Sequence, residues 1–407
     1  MLSLVITTNE RPETLSRALS SCAACPSLRG GEVPLTVLDD SRESGYRAAN
    51  ADVISAAARV LGVPVRHLSR GDRDAFIRNA GSAGPALAEV LEFALDGSRD
   101  ARLAGRAGHI RNASLLMSPE RKVVSADDDT LFRFRRFRED ASVSAGDGGA
   151  DGLPHFLPMA PGGTDRITEE YPGDPLRDFG GVLGTPARVL SPGAPFSGKV
   201  RAAMAGVRGG RWYSSPFAVM DVDPALHRLA WKDSGEYAAA KRDPDALLLA
   251  RAPLLTRNPF FVASFFGWDG SEILPPFFPN IRNSDGIWSF LCRALYPDSP
   301  VCHMPFAVEH DRSVHPPFSD ADFADFSPTA AGIIMLICGF FSRDIEMGNP
   351  EAALMALGSR LSGCAALPKR EWRRFVTELH LAGEGSKIRR LEARLEAAGG
   401  EIGRAHV

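Results

Sequence analysis

The chain has 407 residues, of which 44% are hydrophobic and 24% charged, a balance typical of a packed globular protein. Its 47 basic and 50 acidic residues give a net charge of −3, so no overall positive field recruits nucleic acid or an anionic membrane. The length accommodates a large domain with a smaller one, or two to three domains of ordinary size.

The two most apolar segments do not indicate export or a membrane span. The opening "MLSLVITTNERPE" lacks the basic start and long apolar run of a signal peptide. The longest apolar run, "AAGIIMLICGFF" at 330–341, is too short to span a bilayer and is typical of a buried helix. We therefore expect a cytoplasmic protein with no transmembrane segment.

The first 70 residues alternate strand and helix patterns. The β-branched run "LSLVITT" precedes an amphipathic segment with Leu15 and Leu19 four apart, and "PLTVLDDS" is a second strand that ends in acids. A further helical pattern, "AANADVISAAARVLG", precedes a third strand, "VPVRHLS". This alternation predicts a parallel sheet flanked by helices, with ligands bound at the carboxyl ends of the strands.

The next segments lead into a central strand that ends in three acids. Residues 71–105 contain helical patches such as "GPALAEVLEFAL", followed by "AGHIRNASLLMS" and the strand "RKVVSADDD". Residues 144–175 are dense in Gly, Pro and Asp, which predicts a long mobile loop or lid. Strand patterns return between 211 and 268, and from about Phe323 the patterns are helical.

The acidic triplet Asp127, Asp128 and Asp129 is the strongest chemical signal in the chain. Adjacent carboxylates repel one another unless a positive charge lies between them. Mg²⁺ and Mn²⁺ prefer carboxylate oxygens, and a diphosphate can complete their coordination. A metal site is therefore favoured over a solvated acidic turn, because the triplet follows an apolar strand.

Polar residues at the other strand ends are expected to share this crevice. The second strand ends in Asp39 and Asp40, which are suited to accept hydrogen bonds from a base or a ribose. Arg111 and Asn112, before the acidic strand, offer a guanidinium and an amide to a nucleotide or diphosphate. The first strand is followed by a set of polar residues, Thr7, Thr8, Asn9 and Arg11.

The ordered segments "LSLVITTNERPETLSRAL", "LTVLDDS", "GHIRNASLL" and "VVSADDD" resemble the nucleotide-sugar half of GT-A-fold glycosyltransferases, especially those similar to glycosyltransferase family 2. The resemblance implies an α/β, Rossmann-like fold with a mostly parallel central sheet and, here, a C-terminal helical region. We expect a glycosyltransferase domain over 1–322 and helices over 323–407. The domain divides into a nucleotide-sugar half at 1–135, an insertion, lid and variable region at 136–254, and an acceptor half at 255–322.

The resemblance also implies residue roles. It assigns Asp39 to the base, Arg111 to the vicinity of the acidic motif, Asp127 to the sugar nucleotide and Asp129 to the metal, with Asp128 between them. The implied ligands are Mn²⁺ or Mg²⁺ and a nucleoside-diphosphate sugar, with a UDP-sugar favoured. The acceptor, a saccharide, small molecule or peptide, is not specified, and the C-terminal helices are compatible with a homo-oligomer.

The second half should supply a catalytic base and a histidine. Asp285 in "NSD" resembles the last residue of the family's x-E-D motif, with Ser284 in place of the Glu. As a base, Asp285 would act in a single, inverting displacement; the alternative is a simple helix cap. His310 best resembles the late metal-binding His, with His303 and His315 as alternatives.

Three other functions fit the acids less well. A haloacid-dehalogenase-type phosphohydrolase needs Thr or Val at the fifth motif position, where this chain has Leu131. A nucleotidyltransferase of sugar phosphates would favour a Gly-rich loop after the first strand, and "TTNERPETL" has no Gly. A catalytically inactive GT-A-like binding protein is the third, and Ser284 is the feature that favours it.

Overall fold

The structure is a computed structural model. It describes residues 2–96, 107–118, 122–141, 143, 150–210, 213, 218–219, 222–281, 283–311, 313, 316–324, 329–342, 345 and 349–397.

A sheet of twelve strands runs through the described part of the chain, in the order β3-β2-β1-β4-β11-β8-β12-β5-β7, with β10 beside β12 and β9 between β8 and β6. The strands are β1 Leu2–Thr8, β2 Leu35–Asp39, β3 Val65–Ser69, β4 Lys122–Asp127, β5 Thr130–Phe137, β6 His155–Met159, β7 Thr168–Glu170, β8 Ala202–Gly209, β9 Asp245–Leu249, β10 Leu254–Thr256, β11 Phe265–Asp269 and β12 Val301–His310.

Fifteen α-helices lie in the described ranges: α1 Pro12–Ser21, α2 Pro26–Arg29, α3 Ser44–Leu61, α4 Arg70–Gly81, α5 Pro85–Leu95, α6 Ala107–Met117, α7 Pro175–Val182, α8 Ala187–Leu190, α9 His227–Ala230, α10 Ser234–Arg242, α11 Ser284–Leu295, α12 Asp320–Ala324, α13 Ala330–Ser342, α14 Pro350–Ala365 and α15 Lys369–Ala397.

The predicted α/β class is confirmed, and parallel pairing is concentrated in the N-terminal half of the sheet. Strands β1 to β4 pair parallel, with Thr8 opposite Asp39 and Thr7 opposite Asp127. Strand β12 is also parallel to β8, whereas the other pairs are antiparallel, so the sheet as a whole is mixed. The polar ends of β1, β2 and β4 consequently meet at one edge.

Alternation along β1 explains the layered core. Leu4 and Ile6 pack in a cluster with side chains of α1, α3 and α7, whereas Val5 packs in a second cluster with side chains of α4, α5, α6 and α11. Successive side chains of a strand point to opposite faces, so a strand covered by helices on both sides is apolar throughout. Strand β1 is buried along its whole length for this reason.

The long loop predicted over 144–175 is wrong for two of its segments. Residues His155–Met159 pair with β9 and Thr168–Glu170 pair with β5, which makes both segments strands of the main sheet. Gly and Pro flank these strands, but their partners lie about 30 to 95 residues away in sequence, so a local pattern does not reveal the pairing. Residues 144–149 lie outside the described part of the chain.

The C-terminal helices pack onto the body of the protein through α11. Ile287 and Leu291 of α11 share a buried cluster with Ala331 and Cys338 of α13 and Leu357 of α14. Helices α13 to α15 lie in the region predicted to be helical from Phe323 onward, and α13 and α14 pack on the helix whose first turn carries the predicted base. Within the described ranges, no helix combines the length and apolarity that a membrane span requires.

Candidate active site

The three acids lie directly beside the end of β1. Thr7 Oγ1 donates to Asp127 Oδ1 at 3.2 Å, and Thr8 Oγ1 donates to Asp128 Oδ2 at 2.7 Å. These contacts follow from the parallel β1–β4 register, which places Thr7 opposite Asp127. The predicted convergence of the first and fourth strand ends is thus present in the structure.

Two arginines supply positive charge to the triplet. Arg111 Nη2 donates to both oxygens of Asp127 at 3.1 and 3.0 Å, and Arg11 Nη1 lies 3.2 Å from Asp128 Oδ1 and 3.4 Å from Asp129 Oδ2. Arg111 is buried, whereas the side chain of Arg11 is 47% exposed. The repulsion between the three carboxylates is therefore offset by one fixed and one half-exposed guanidinium.

Burial is the main cause of the raised pKa values of two of the acids. It raises the pKa of Asp127, an effect that Arg111 opposes and that the charges of Asp129 and Asp285 reinforce. Burial also raises the pKa of Asp128 to about 7, with Asp129 adding to the rise and Arg11 opposing it. Burial and the neighbouring carboxylates therefore both disfavour the charged forms of Asp127 and Asp128.

Asp285 faces the acids from the first turn of α11. Its charge raises the pKa of both Arg111 and Asp127. Asp285 Oδ2 accepts from Ala263 N at 2.9 Å, and Arg111 Nη1 donates to Ser284 Oγ at 3.4 Å. Ser284, at the position of the family's Glu, thus contacts the same arginine that binds Asp127.

A glycine on α6 permits this approach of the two halves. A Cβ at Gly108 would lie 1.8 Å from the carbonyl oxygen of Phe278. His109 N donates to Pro279 O at 3.1 Å at the same contact. Because the clash is with backbone, a larger residue at 108 would push the segment that precedes α11 away from the helix that carries Arg111.

His310, the last residue of β12, lies next to Asp129. Strand β12 pairs with β5 so that His310 is opposite Thr130, and His310 Nε2 is 3.6 Å from Asp129 Oδ1. Two ligands of one octahedral cation, each at about 2.1 Å, lie about 3 Å apart when adjacent and about 4 Å apart when opposite. The two side chains therefore fit one divalent cation, although no group of three or more His, Cys, Asp or Glu in the described ranges forms a metal site.

The two acids at the end of β2 are occupied by protein partners. Asp39 accepts from Ser41 N at 2.9 Å and Asn50 Nδ2 at 3.1 Å, with His67 Nε2 at 3.4 Å. Burial alone would raise the pKa of Asp39, but these hydrogen bonds lower it below the usual value. A base or ribose contact by Asp39 would have to displace one of these partners.

Asp40 lies within a buried ion cluster, so the predicted nucleotide contact would have to compete with its protein partners. It pairs with Arg73, with His109 Nε2 at 2.7 Å and with Arg70 Nη1 at 3.3 Å. Burial would raise the pKa of Asp40, but His109 and Arg73 outweigh it and lower the pKa to about 2. The sequence did not reveal this cluster, because an Arg and a His at helix starts resemble solvent-exposed residues.

Asn112 is likewise used by the fold rather than presented to a ligand. Its amide nitrogen donates to Ala94 O at 3.0 Å and Phe277 O at 2.9 Å, and its oxygen accepts from Phe277 N at 2.7 Å. Both ends of the amide are therefore bonded to backbone. A nucleotide contact by Asn112 would have to displace one of these bonds, whereas its neighbour Arg111 reaches the acids.

Asn9 and a basic cleft complete the surroundings of the site. Asn9 Oδ1 is buried and has no hydrogen-bond partner among the described residues. A cleft of about 540 Å³ opens at the carboxyl end of β3, a size typical of small-molecule sites. Its lining residues, three of them arginines that sequence reasoning missed, are Arg42, Arg47, Ser69, Arg70, Gly71 and Asp74.

His303 does not lie beside the acids as His310 does, and His315 lies outside the described residues. His303 is buried on β12, and its Nε2 has no hydrogen-bond partner in the described part of the chain. Burial lowers the pKa of His303 to about 3. His303 is therefore a neutral core residue at neutral pH.

This burial predicts an acid sensitivity. An unfolded histidine titrates near pH 6.5, so the stability that neutral His303 retains above that pH is lost as the pH falls from about 6.5 toward 3. At pH 5 the loss should be about 2 kcal/mol relative to pH 7.5. Urea unfolding of the wild type and His303→Gln at both pH values isolates the effect. Equal losses in the two proteins would contradict it.

Neither the protein-family models nor the curated proteins match this chain. Among solved structures it is similar to the mannosyltransferase PcManGT from Pyrobaculum calidifontis in complex with GDP-Man and Mn²⁺, at 12% identity and a TM-score of 0.34, covering 98% of this chain and 86% of that one. It is also similar to S. aureus TarS 1–349, at 10% identity and a TM-score of 0.38, covering 88% and 71%. A third is glucosyl-3-phosphoglycerate synthase from Mycobacterium tuberculosis in complex with Mn²⁺, UDP and phosphoglyceric acid, at 11% identity and a TM-score of 0.31, covering 75% and 68%. With TM-scores below 0.5, these three similarities carry no conclusion about the ligands or activity of this chain.

Proposed function

We propose that the protein is a metal-dependent, inverting glycosyltransferase that moves a sugar from a nucleoside-diphosphate sugar to an acceptor nucleophile. The observation that carries this proposal is the convergence of Asp127, Asp129 and Asp285 around buried Arg111, with His310 beside Asp129. The acids come from the end of β4 and the start of α11, in two distant parts of the chain. Carboxylates that lie this close together repel one another. Such clusters occur preferentially at functional sites, where a ligand or the reaction makes use of them.

The crevice offers separate positions for the parts of the donor. Asp129 and His310 would hold Mn²⁺ or Mg²⁺, which when bound would neutralise charge developing on the departing diphosphate. Arg111 and Thr7 both donate to Asp127 and so orient its carboxylate. The arginine-lined cleft beyond β3 has room for a nucleoside, and uridine is the one we favour.

Asp285 acts as the general base in this proposal. Its Oδ2 is held by Ala263 N, which orients the carboxyl group and leaves Oδ1 for the acceptor hydroxyl. The proton moves from the acceptor oxygen to Asp285 as that oxygen bonds to the anomeric carbon, and the bond to the diphosphate breaks. Direct displacement with a single base inverts the anomeric configuration.

We expect a sugar nucleotide to stabilise the protein only together with Mn²⁺. A ligand present at a hundredfold excess over its Kd raises the free energy of unfolding by about 2.7 kcal/mol. Thermal unfolding with a panel of nucleotide sugars and NTPs, with and without Mn²⁺, measures this effect. Asp129→Ala should abolish it, whereas Asp140→Ala, at an exposed ion pair with Arg138, should not.

The same panel separates the alternatives. Stabilisation by NTPs but by no nucleotide sugar would indicate a nucleotidyltransferase and overturn the proposal. Stabilisation by a nucleotide sugar without turnover in any acceptor mixture would indicate a binding protein. A response of Asp129→Ala equal to that of the wild type would remove Asp129 from the metal site.

A further inference from the structure

Arg11 supplies positive charge to two of the acids, Asp128 and Asp129, to which a metal ion would also supply it. Its Nη1 bridges Asp128 Oδ1 and Asp129 Oδ2, at 3.2 and 3.4 Å. The two oxygens of Asp129 are thus divided between two groups, since Oδ1 faces His310 Nε2 at 3.6 Å. A cation between Asp129 and His310 would lie on the carboxylate next to the guanidinium of Arg11.

The backbone around Arg11 is anchored by hydrogen bonds, whereas its side chain is half-exposed and held only by the two ion pairs. Glu10 adopts a left-handed conformation with φ of 57°, its N–H donates to Ser41 Oγ at 2.9 Å, and its carboxylate accepts from Arg42 N at 3.1 Å. These bonds tie the β1–α1 turn to the end of β2. Arg11, with a half-exposed side chain, can therefore change partner by side-chain rotation alone.

Charge decides which partner it takes. A guanidinium next to two carboxylates is favourable, but the same guanidinium next to a divalent cation is repelled with about twice the energy of a pair of unit charges. A diphosphate bound to that cation would offer Arg11 new oxygens within the reach of its side chain. Loss of the acids as partners is then compensated only when metal and nucleotide are both present.

We propose that Arg11 is an internal counter-ion that competes with the divalent cation for Asp128 and Asp129 and moves to the diphosphate when nucleotide and metal bind together. The inference rests on the proposed function and adds an order to it: metal alone binds weakly, and each ligand strengthens the binding of the other. Arg11 is a positioning residue in this scheme. The reciprocity of binding free energies makes the coupling measurable from either ligand.

Removal of the charge tests the competition directly. Arg11→Gln should bind Mn²⁺ alone about tenfold more tightly than the wild type, because the repelling charge is gone. The free Mn²⁺ concentration, followed by electron paramagnetic resonance in a titration without nucleotide, gives this affinity. At saturating Mn²⁺, the same variant should bind UDP and GDP more weakly than the wild type, so the coupling between the two ligands shrinks from both sides.

Arg17→Gln is the matched control. Arg17 lies on α1, is 46% exposed, and pairs with Asp311 at 2.8 Å rather than with the triplet. It should leave Mn²⁺ affinity within about twofold of the wild type, because it removes an equal charge that pairs with Asp311 and not with a carboxylate of the acidic triplet. An equal gain in both variants would reduce the effect to net charge and overturn the role of Arg11.

The failure of this inference differs from the failure of the proposed function. Mn²⁺ affinity that is unchanged in Arg11→Gln, but lost in Asp129→Ala, overturns the competition and leaves the metal site intact. Absence of Mn²⁺ binding in the wild type and in Arg11→Gln, with or without nucleotide, overturns both. Tighter Mn²⁺ binding together with tighter nucleotide binding in Arg11→Gln would contradict the transfer of Arg11 to the diphosphate.

Discussion

Asp285→Asn should lower kcat about a thousandfold while leaving the affinity for the donor nucleotide within about twofold, because the base acts on the acceptor and not on the donor. The substitution preserves the local structure, since an amide oxygen can still accept from Ala263 N. Release of nucleoside diphosphate with donor and acceptor present measures turnover. Calorimetric titration with the donor nucleotide measures binding.

Glu351→Gln is a suitable control for this experiment. Glu351 is also an acid in the first turn of a helix, but it is exposed at the start of α14 and is not among the residues of the crevice. Its loss should leave kcat unchanged. Transfer at the wild-type rate by Asp285→Asn would remove Asp285 as the base and leave it only the structural role of accepting from Ala263 N.

Asp40→Asn should lower the free energy of unfolding by about 3–5 kcal/mol, because it leaves the partners of Asp40 buried beside a neutral amide. Arg73 and His109 are both buried at this contact, and Arg70 is mostly so. Urea unfolding monitored by circular dichroism gives the difference. The control is Asp320→Asn, which breaks an ion pair with Arg242 at a residue 90% exposed and should cost less than about 1 kcal/mol.

The acid dependence of Asp40 supplies an independent check. Its folded pKa of about 2 lies below the unfolded value, so its stabilisation is present above about pH 4 and is lost as the pH falls toward 2. Asp40→Asn should lack this component of acid unfolding. Equal destabilisation by Asp40→Asn and Asp320→Asn would show that the buried cluster contributes no more than a surface pair.

Local patterns sufficed for the residues whose position depends on a strand end. Thr7, Thr8 and Asp127 meet because a run of β-branched residues forms a strand, and parallel strands end at one edge. Arg111 was expected near that edge because it precedes the acidic strand, whereas His310, on a distant strand, was assigned to the metal only through the family resemblance. The roles of these residues were predicted from the resemblance of several motifs in their order along the chain, because periodicity alone predicts strands and helices but no roles.

Local patterns did not predict which partner a polar side chain takes when several lie within reach. Asp40 and Asn112 carry donors or acceptors that suit a nucleotide, yet the fold brings Arg73, His109 and the backbone of Phe277 to them first. A buried polar group must be satisfied, and which group satisfies it depends on packing across more than 30 residues of sequence. The strands at 155–159 and 168–170 were missed for the same reason, since their partners are remote.

The sequence by itself determined the alternation of strands and helices, the apolar character of the central strands and the cluster of acids at the end of β4. These features arise from neighbours in the chain, where periodicity and burial act directly. Only the tertiary structure decided that Asp285 and His310 join the acids, that Asp40 is withdrawn into an ion cluster and that Arg11 holds Asp128 and Asp129. Charge interactions depend on distance and burial, and neither is defined until the remote parts of the chain have packed together.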